Sequence, residues 1–148
     1  MDTLKIKTGI QIAKPAGEVF EAIVSPQQIA NYVLASSSGR IEEGAHLVWR
    51  FPEFDEDVPV RAGKIIKDKL ISLYWENEDG HETLIEFDLE DRGSKTVVTV
   101  TEGTMPNYDK GIKWLAGNTE GWSYFLAFLK AWLEHGINMR PGAFDYRF

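Results

Sequence analysis

The stretch Asn118–Gly136, NTEGWSYFLAFLKAWLEHG, constrains the fold more than any other segment of this chain. Trp122, Phe125, Leu126, Leu129 and Leu133 recur at the i, i+3, i+4, i+7 spacing of one helical stripe. Phe128 and Trp132 widen that stripe beyond the ~100° that a single packing face needs. Ser123, Lys130 and Glu134 group on the opposite side. Gly117-Asn118-Thr119 predicts the N-terminal cap, and Gly136 predicts the stop. A helix with so broad an apolar arc asks for a sheet wrapped around it, and raises the question of an apolar space between the two.

Nearly everything upstream reads as strands. Leu4, Ile6, Ile10 and Ile12 alternate with Lys5, Lys7 and Gln11, the period of a half-buried strand. Pro15 suits the first turn of a helix whose apolar side is Val19, Phe20 and Ile23, with Glu18 near its positive end. Ser25-Pro26 then caps and opens a second short helix running through Ile29. From Tyr32 to Gly103 the periodicity predicts about six successive strands. Their turns fall at Glu42–Gly44, Lys67–Lys69, Asp79-Gly80 and Asp91–Ser94, and short turns impose antiparallel pairing. Gly63 permits a bulge. Thr104–Ala116 reads as a loop or a preceding helical turn. Phe144, Tyr146 and Phe148 suggest that the tail docks over Phe128 and Trp132. The expected class is α+β, in the order strand, two short helices, six strands, long helix, as one domain over residues 1–148.

With 148 residues the chain is large enough to bury a core without covalent staples. It contains no cysteine, so disulfides, thiolate metal sites and cysteine nucleophiles are excluded, which fits a cytoplasmic location. The segment Met1–Lys5 runs straight into a strand with no signal-peptide core. No apolar run reaches the ~20 residues of a membrane span. A net charge of −7 with dispersed lysines and arginines speaks against a nucleic-acid partner.

The arrangement resembles the helix-grip fold of the START-like (SRPBCC) superfamily, in the branch similar to the C-terminal domain of the Hsp90 ATPase activator. Ile10–Phe20 (IQIAKPAGEVF) carries an opening strand-to-helix signature, and Ser25-Pro26 the break before the second helix. Gly44–Trp49 (GAHLVW) resembles the glycine-turn strand that follows. Gly121-Trp122, Phe125-Leu126, Leu129 and Leu133–Gly136 resemble the closing helix. The resemblance covers roughly Leu4 to Asn138. It implies a curved antiparallel sheet around the long helix, commonly with an apolar cavity between them. It also implies two kinds of partner, a hydrophobic small molecule or the chaperone. Two departures stand out. The activator's second chaperone-binding domain is not expected in a chain of this length, and Thr101-Glu102 occupies the place where many relatives carry threonine-histidine.

Conventional catalytic motifs are missing. His46, His81 and His135 lie on different elements without metal-ligand spacing, so no metal is expected. His135 suits a helix C-terminus, and His81 reads as exposed. The acidic run Glu53–Asp57 reads as a solvated loop, lacking the alternating ligands and glycine of a calcium loop. No phosphate-cradling or dinucleotide-binding glycine motif is present, so no cofactor is expected. Glu102 continues the inward Val98–Val100 face. It is expected at the sheet's open rim in water; were it buried, it would need a partner, and Arg50 and Arg61 are the candidates. Trp49, Phe51, Trp75, Phe87, Trp122 and Phe125, with Glu102, form the candidate ligand-binding set. The leading expectation is a binding module for a lipid or aromatic molecule. The alternatives are a chaperone-interacting, Hsp90 ATPase-modulating domain and an enzyme, a cyclase or hydrolase using Glu102.

Overall fold

The computed structural model describes residues 2–148; Met1, the first residue of the segment expected above to lack a signal-peptide core, lies outside the described residues. Strand β1 (Thr3–Ile12) leads into helices α1 (Ala16–Val24) and α2 (Pro26–Ile29). Strands β2 (Ser36–Ser37), β3 (His46–Arg50), β4 (Val58–Ile66), β5 (Leu70–Glu76), β6 (Glu82–Asp91) and β7 (Thr96–Pro106) follow, then α3 (Asp109–His135). The seven strands form one antiparallel sheet in the order β1-β7-β6-β5-β4-β3-β2. This is the expected α+β helix-grip arrangement, with α3 lying in the concave face.

Local chemistry accounts for most boundaries. Ser25 caps α2 by accepting a hydrogen bond from the Gln28 amide at 3.3 Å, with Pro26 at the first helical position. Gly136 ends α3 at φ 65°, its amide bonding back to the Ala131 and Trp132 carbonyls. The sheet bends where register shifts, between Leu4 and Lys5 and between Ala62 and Ile65. Gly63 lies in the second shift, where a Cβ would meet the Tyr74 ring at 2.8 Å.

Three expectations are corrected. Tyr32–Leu34 is a buried turn, not a strand, and the Tyr32 hydroxyl donates to the Ala22 carbonyl at 2.8 Å. Thr104–Ala116, expected as a loop or a preceding helical turn, is mostly continuous with its neighbours: β7 runs to Pro106, and the helical part is α3 itself, which starts at Asp109 after Tyr108 in extended conformation. Gly117-Asn118-Thr119 therefore lies inside the helix. The Thr119 hydroxyl bonds the Leu115 carbonyl of its own helix at 2.5 Å, so it backs onto the preceding turn and caps nothing. Long helices tolerate interior glycines when packing, here by Trp114 on one side and Trp122 on the other, outweighs their weak propensity.

The core runs along the concave side, with Ile71, Leu73, Ile85, Phe87, Val98 and Val100 of the sheet facing Phe125, Leu126 and Leu129 of α3. The polar stripe of α3 is employed as well. Ser123 pairs with Thr8, Lys130 Nζ donates to the Gln11 carbonyl and the Ala13 amide donates to Glu134. These contacts cover the β1 edge, whose backbone groups would otherwise invite another strand. In the tail, Phe144 docks on Phe128 and Tyr124, while Tyr146 and Phe148 stay exposed. No described helix is long and apolar enough to cross a membrane.

Candidate functional site

Glu102 lies at the inner end of β7 with 0% exposure, so the expected position at a wet rim is wrong. Alternation carries the inward face of β7 from Val98 through Val100 to Glu102, and α3 begins early enough to roof that end of the sheet. Nor is its partner a cation. Arg50 faces outward and pairs with Asp57, and Arg61 pairs with Glu82. Four uncharged donors serve the carboxylate instead. Trp75 Nε1 (2.8 Å) and Thr83 Oγ1 (2.5 Å) donate to Oε2, while Trp122 Nε1 (2.8 Å) and Asn118 Nδ2 (3.1 Å) donate to Oε1. Asn77 in turn donates to Thr83 Oγ1 at 2.9 Å, which aims the hydroxyl's own proton at Glu102.

Two donors on each oxygen occupy all four lone-pair positions of a carboxylate. Charge-assisted hydrogen bonds of this kind are what make a buried carboxylate tolerable. The consequence is mechanical. Glu102 holds the indoles of Trp75 and Trp122, which stack with centroids 5.3 Å apart and planes 26° apart. It has no lone pair left to take a proton from a bound substrate.

Those indoles form one wall of a cleft of about 130 Å³ between the sheet and α3. Trp49, Phe51, Trp75, Trp122 and Phe125 line it, with Arg140 at its edge. Trp49 meets Trp75 edge-on at 6.4 Å and Phe51 at 6.5 Å. Phe87 stands behind this surface, packed on Trp122 and Phe125, and Glu102 lies behind the two indoles that it holds. The structure thus brings the seven expected residues into one neighbourhood, five of them at the cleft surface. Trp49 Nε1 is buried without a hydrogen-bond partner among the described residues.

Sequence reasoning missed three contributors. Asn118, whose residue type predicts a cap, stands four residues before Trp122 on the same helical face. Thr83 shares the parity of Ile85 and Phe87, a signal that could have placed it inward. Arg140 carries no sequence signal. It forms a two-point bond to Glu53, at 3.0 Å from Nε and 2.5 Å from Nη2, and its guanidinium stands 5.0 Å from the Phe144 ring centre. The acidic loop is therefore not wholly solvated: Glu53 is only 12% exposed, and the Arg140 hydrogen bond lowers its pKa. Among the described residues no cluster of three or more histidine or acidic side chains could hold a metal ion.

A second cleft, of about 520 Å³, lies toward the start of α3. Met105 and Trp114 form its apolar side, Lys110, Lys113, Asn77 and Asp79 its polar side, and it adjoins the first cleft at Gly117 and Asn118.

Sheet, enclosing helix and intervening cleft define a START-like helix-grip domain. Residues 13–134 match the family described as activator of Hsp90 ATPase homolog 1-like proteins, and the chain belongs to that family. The crystal structure of the protein SSP2350 from Staphylococcus saprophyticus is similar at 34% identity and a TM-score of 0.81, over 93% of this chain and 96% of that one. The solution structure of the Aha1 dimer from Colwellia psychrerythraea matches at 22% identity and a TM-score of 0.76, over 90% and 98% of the two chains. DynU16, a putative protein of the dynemicin biosynthetic locus, matches at 19% identity and a TM-score of 0.79, over 89% of this chain and 48% of that one. A search of curated proteins found no match.

Proposed function

We propose that this protein binds a small aromatic molecule in the tryptophan-lined cleft between the sheet and α3. The observation that carries the reading is the Glu102 network, which holds Trp75 and Trp122 in place before any ligand arrives. Preorganised walls reduce the ordering that binding must otherwise impose. A cleft of about 130 Å³ approaches the ~150 Å³ of an apolar cavity that admits benzene, so its natural guest is one ring. Burial at ~25 cal/mol per Å² and contact with the indole faces supply the affinity. Acid–base catalysis is not part of this reading, because the Glu102 lone pairs are occupied.

The test is a thermal-shift and native mass-spectrometry screen with phenols, indoles and lipids. Aromatic compounds are expected to raise the melting temperature and to appear as one-to-one complexes. Uniform absence of both effects removes the proposal.

A second reading, a chaperone-interacting domain, draws on the family match and on an exposed aromatic patch. Phe54 and Phe148 touch at 5.8 Å between ring centres, with Tyr146 exposed nearby in the sequence. Stimulation of chaperone ATPase by this chain, lost in Phe148→Ala, supports it. No stimulation and no co-purification with the chaperone removes it.

A further inference from the structure

We propose that the two clefts are halves of one elongated site, and that its ligand is an aromatic-headed acid whose ring enters the tryptophan cleft and whose carboxylate reaches Lys110 and Lys113. The proposal rests on the reading of the aromatic cleft given above, and goes beyond it to the chemical class of the ligand.

Gly117 and Asn118 line both clefts, so no other element separates them along the helix. At 100° per residue Lys110, Lys113, Gly117 and Gly121 fall on one stripe of α3. From the level of Lys113 to that of Gly121 is about 12 Å at the helical rise. A carboxylate separated from a ring by a short alkyl chain has that span.

The floor of this path is bare backbone. A Cβ built on Gly117 or on Gly121 meets no atom within 4 Å, so nothing inside the protein requires glycine at either position. Glycine is a poor helix former, and both lie in the interior of a 27-residue helix. Their missing side chains leave open space where a ligand would pass.

Charge comes last. Among the described residues Lys110 and Lys113 take part in no ion pair. Asp79, which lines the same cleft, is already occupied by the Tyr108 hydroxyl, the His81 ring and the His81 amide. Asp109, at the first position of α3, takes part in no ion pair among the described residues. Glu78 also borders the cleft and is exposed. Two uncommitted ammonium groups above an apolar wall of Met105 and Trp114 suit an anion with an apolar stem. Trp49 lines the first cleft and Trp114 the second, and the indole N–H of each is buried without a hydrogen-bond partner among the described residues.

The experiment titrates the whole chain with phenol, phenylpropionate, phenylhexanoate and phenylhexanoate methyl ester, following indole fluorescence. Phenylhexanoate is expected to bind about fivefold or more tighter than its ester, the size of gain that two partly exposed ion pairs deliver. The double variant Lys110→Gln/Lys113→Gln removes that preference while phenol binding stays as it was. Gly117→Leu, filling the junction, removes the advantage of phenylhexanoate over phenylpropionate. Equal binding of acid and ester, or an acid preference that survives in the double variant, overturns the elongated site and leaves the aromatic cleft standing. Failure of phenol and of every acid to bind overturns both.

Discussion

Glu102 on β7 and Trp122 on α3 are joined by an indole N–H donating to carboxylate oxygen at 2.8 Å, and this bond ties the helix to the sheet's inner end. Glu102→Gln keeps the shape and spoils the chemistry. The amide offers hydrogens on the side where two donors already point, so at least two N–H or O–H groups lose their acceptor. The expected loss is about 2–4 kcal/mol, measured by urea denaturation. Near-ultraviolet circular dichroism should show the Trp75–Trp122 stack relaxing. A loss below about 0.5 kcal/mol would mean that the network contributes little to holding the rings.

Two glycines of α3 should respond to alanine with opposite signs. At Gly111 a Cβ would stand 2.0 Å from the Pro106 carbonyl oxygen, so the start of the helix must shift. Gly111→Ala is expected to cost about 1–3 kcal/mol. Gly121 has open space, and Gly121→Ala should gain about 1 kcal/mol from helix propensity. Thermal unfolding of both variants checks this; destabilisation by Gly121→Ala would show that the space is filled.

The tail clasp should be acid-sensitive. Arg140 holds the Glu53 carboxyl below the usual carboxylate range, chiefly through its hydrogen bonds. With the folded pKa lowered, the clasp contributes fully above the unfolded-chain value near ~4.3 and its contribution fades as pH falls through the folded value. Glu53→Gln is therefore expected to cost about 1–2 kcal/mol at neutral pH. The gap between natural sequence and variant should close in acid. A pH-independent gap contradicts the assignment.

Tyr32 gives the alkaline counterpart. Burial raises its phenol pKa well above the ordinary value, and its hydroxyl donates to the Ala22 carbonyl. The raised folded pKa means that stability is complete below about pH 10 and declines as pH rises beyond it. Tyr32→Phe should cost about 1 kcal/mol at neutral pH and flatten that decline. Ultraviolet titration of tyrosinate, compared between the two proteins, reads the difference directly.

What the sequence alone determined was periodicity and punctuation. The wide apolar arc of Trp122–Leu133, the alternation of β1 and β3 to β7, the cap at Ser25 and the stop at Gly136 are local signals, each contained within a few residues. They sufficed for element order and for the aromatic neighbourhood. Only the tertiary structure decided the fate of Glu102, since its four donors come from β5, β6 and two turns of α3 that meet in space. The same holds for the early start of α3 at Asp109, where a close approach to Pro106 requires Gly111, and for Arg140 closing on Glu53 across most of the chain. A short-range pattern shows which face a residue occupies; whether that face meets water, a ring or a donor depends on chain segments that the pattern does not reach.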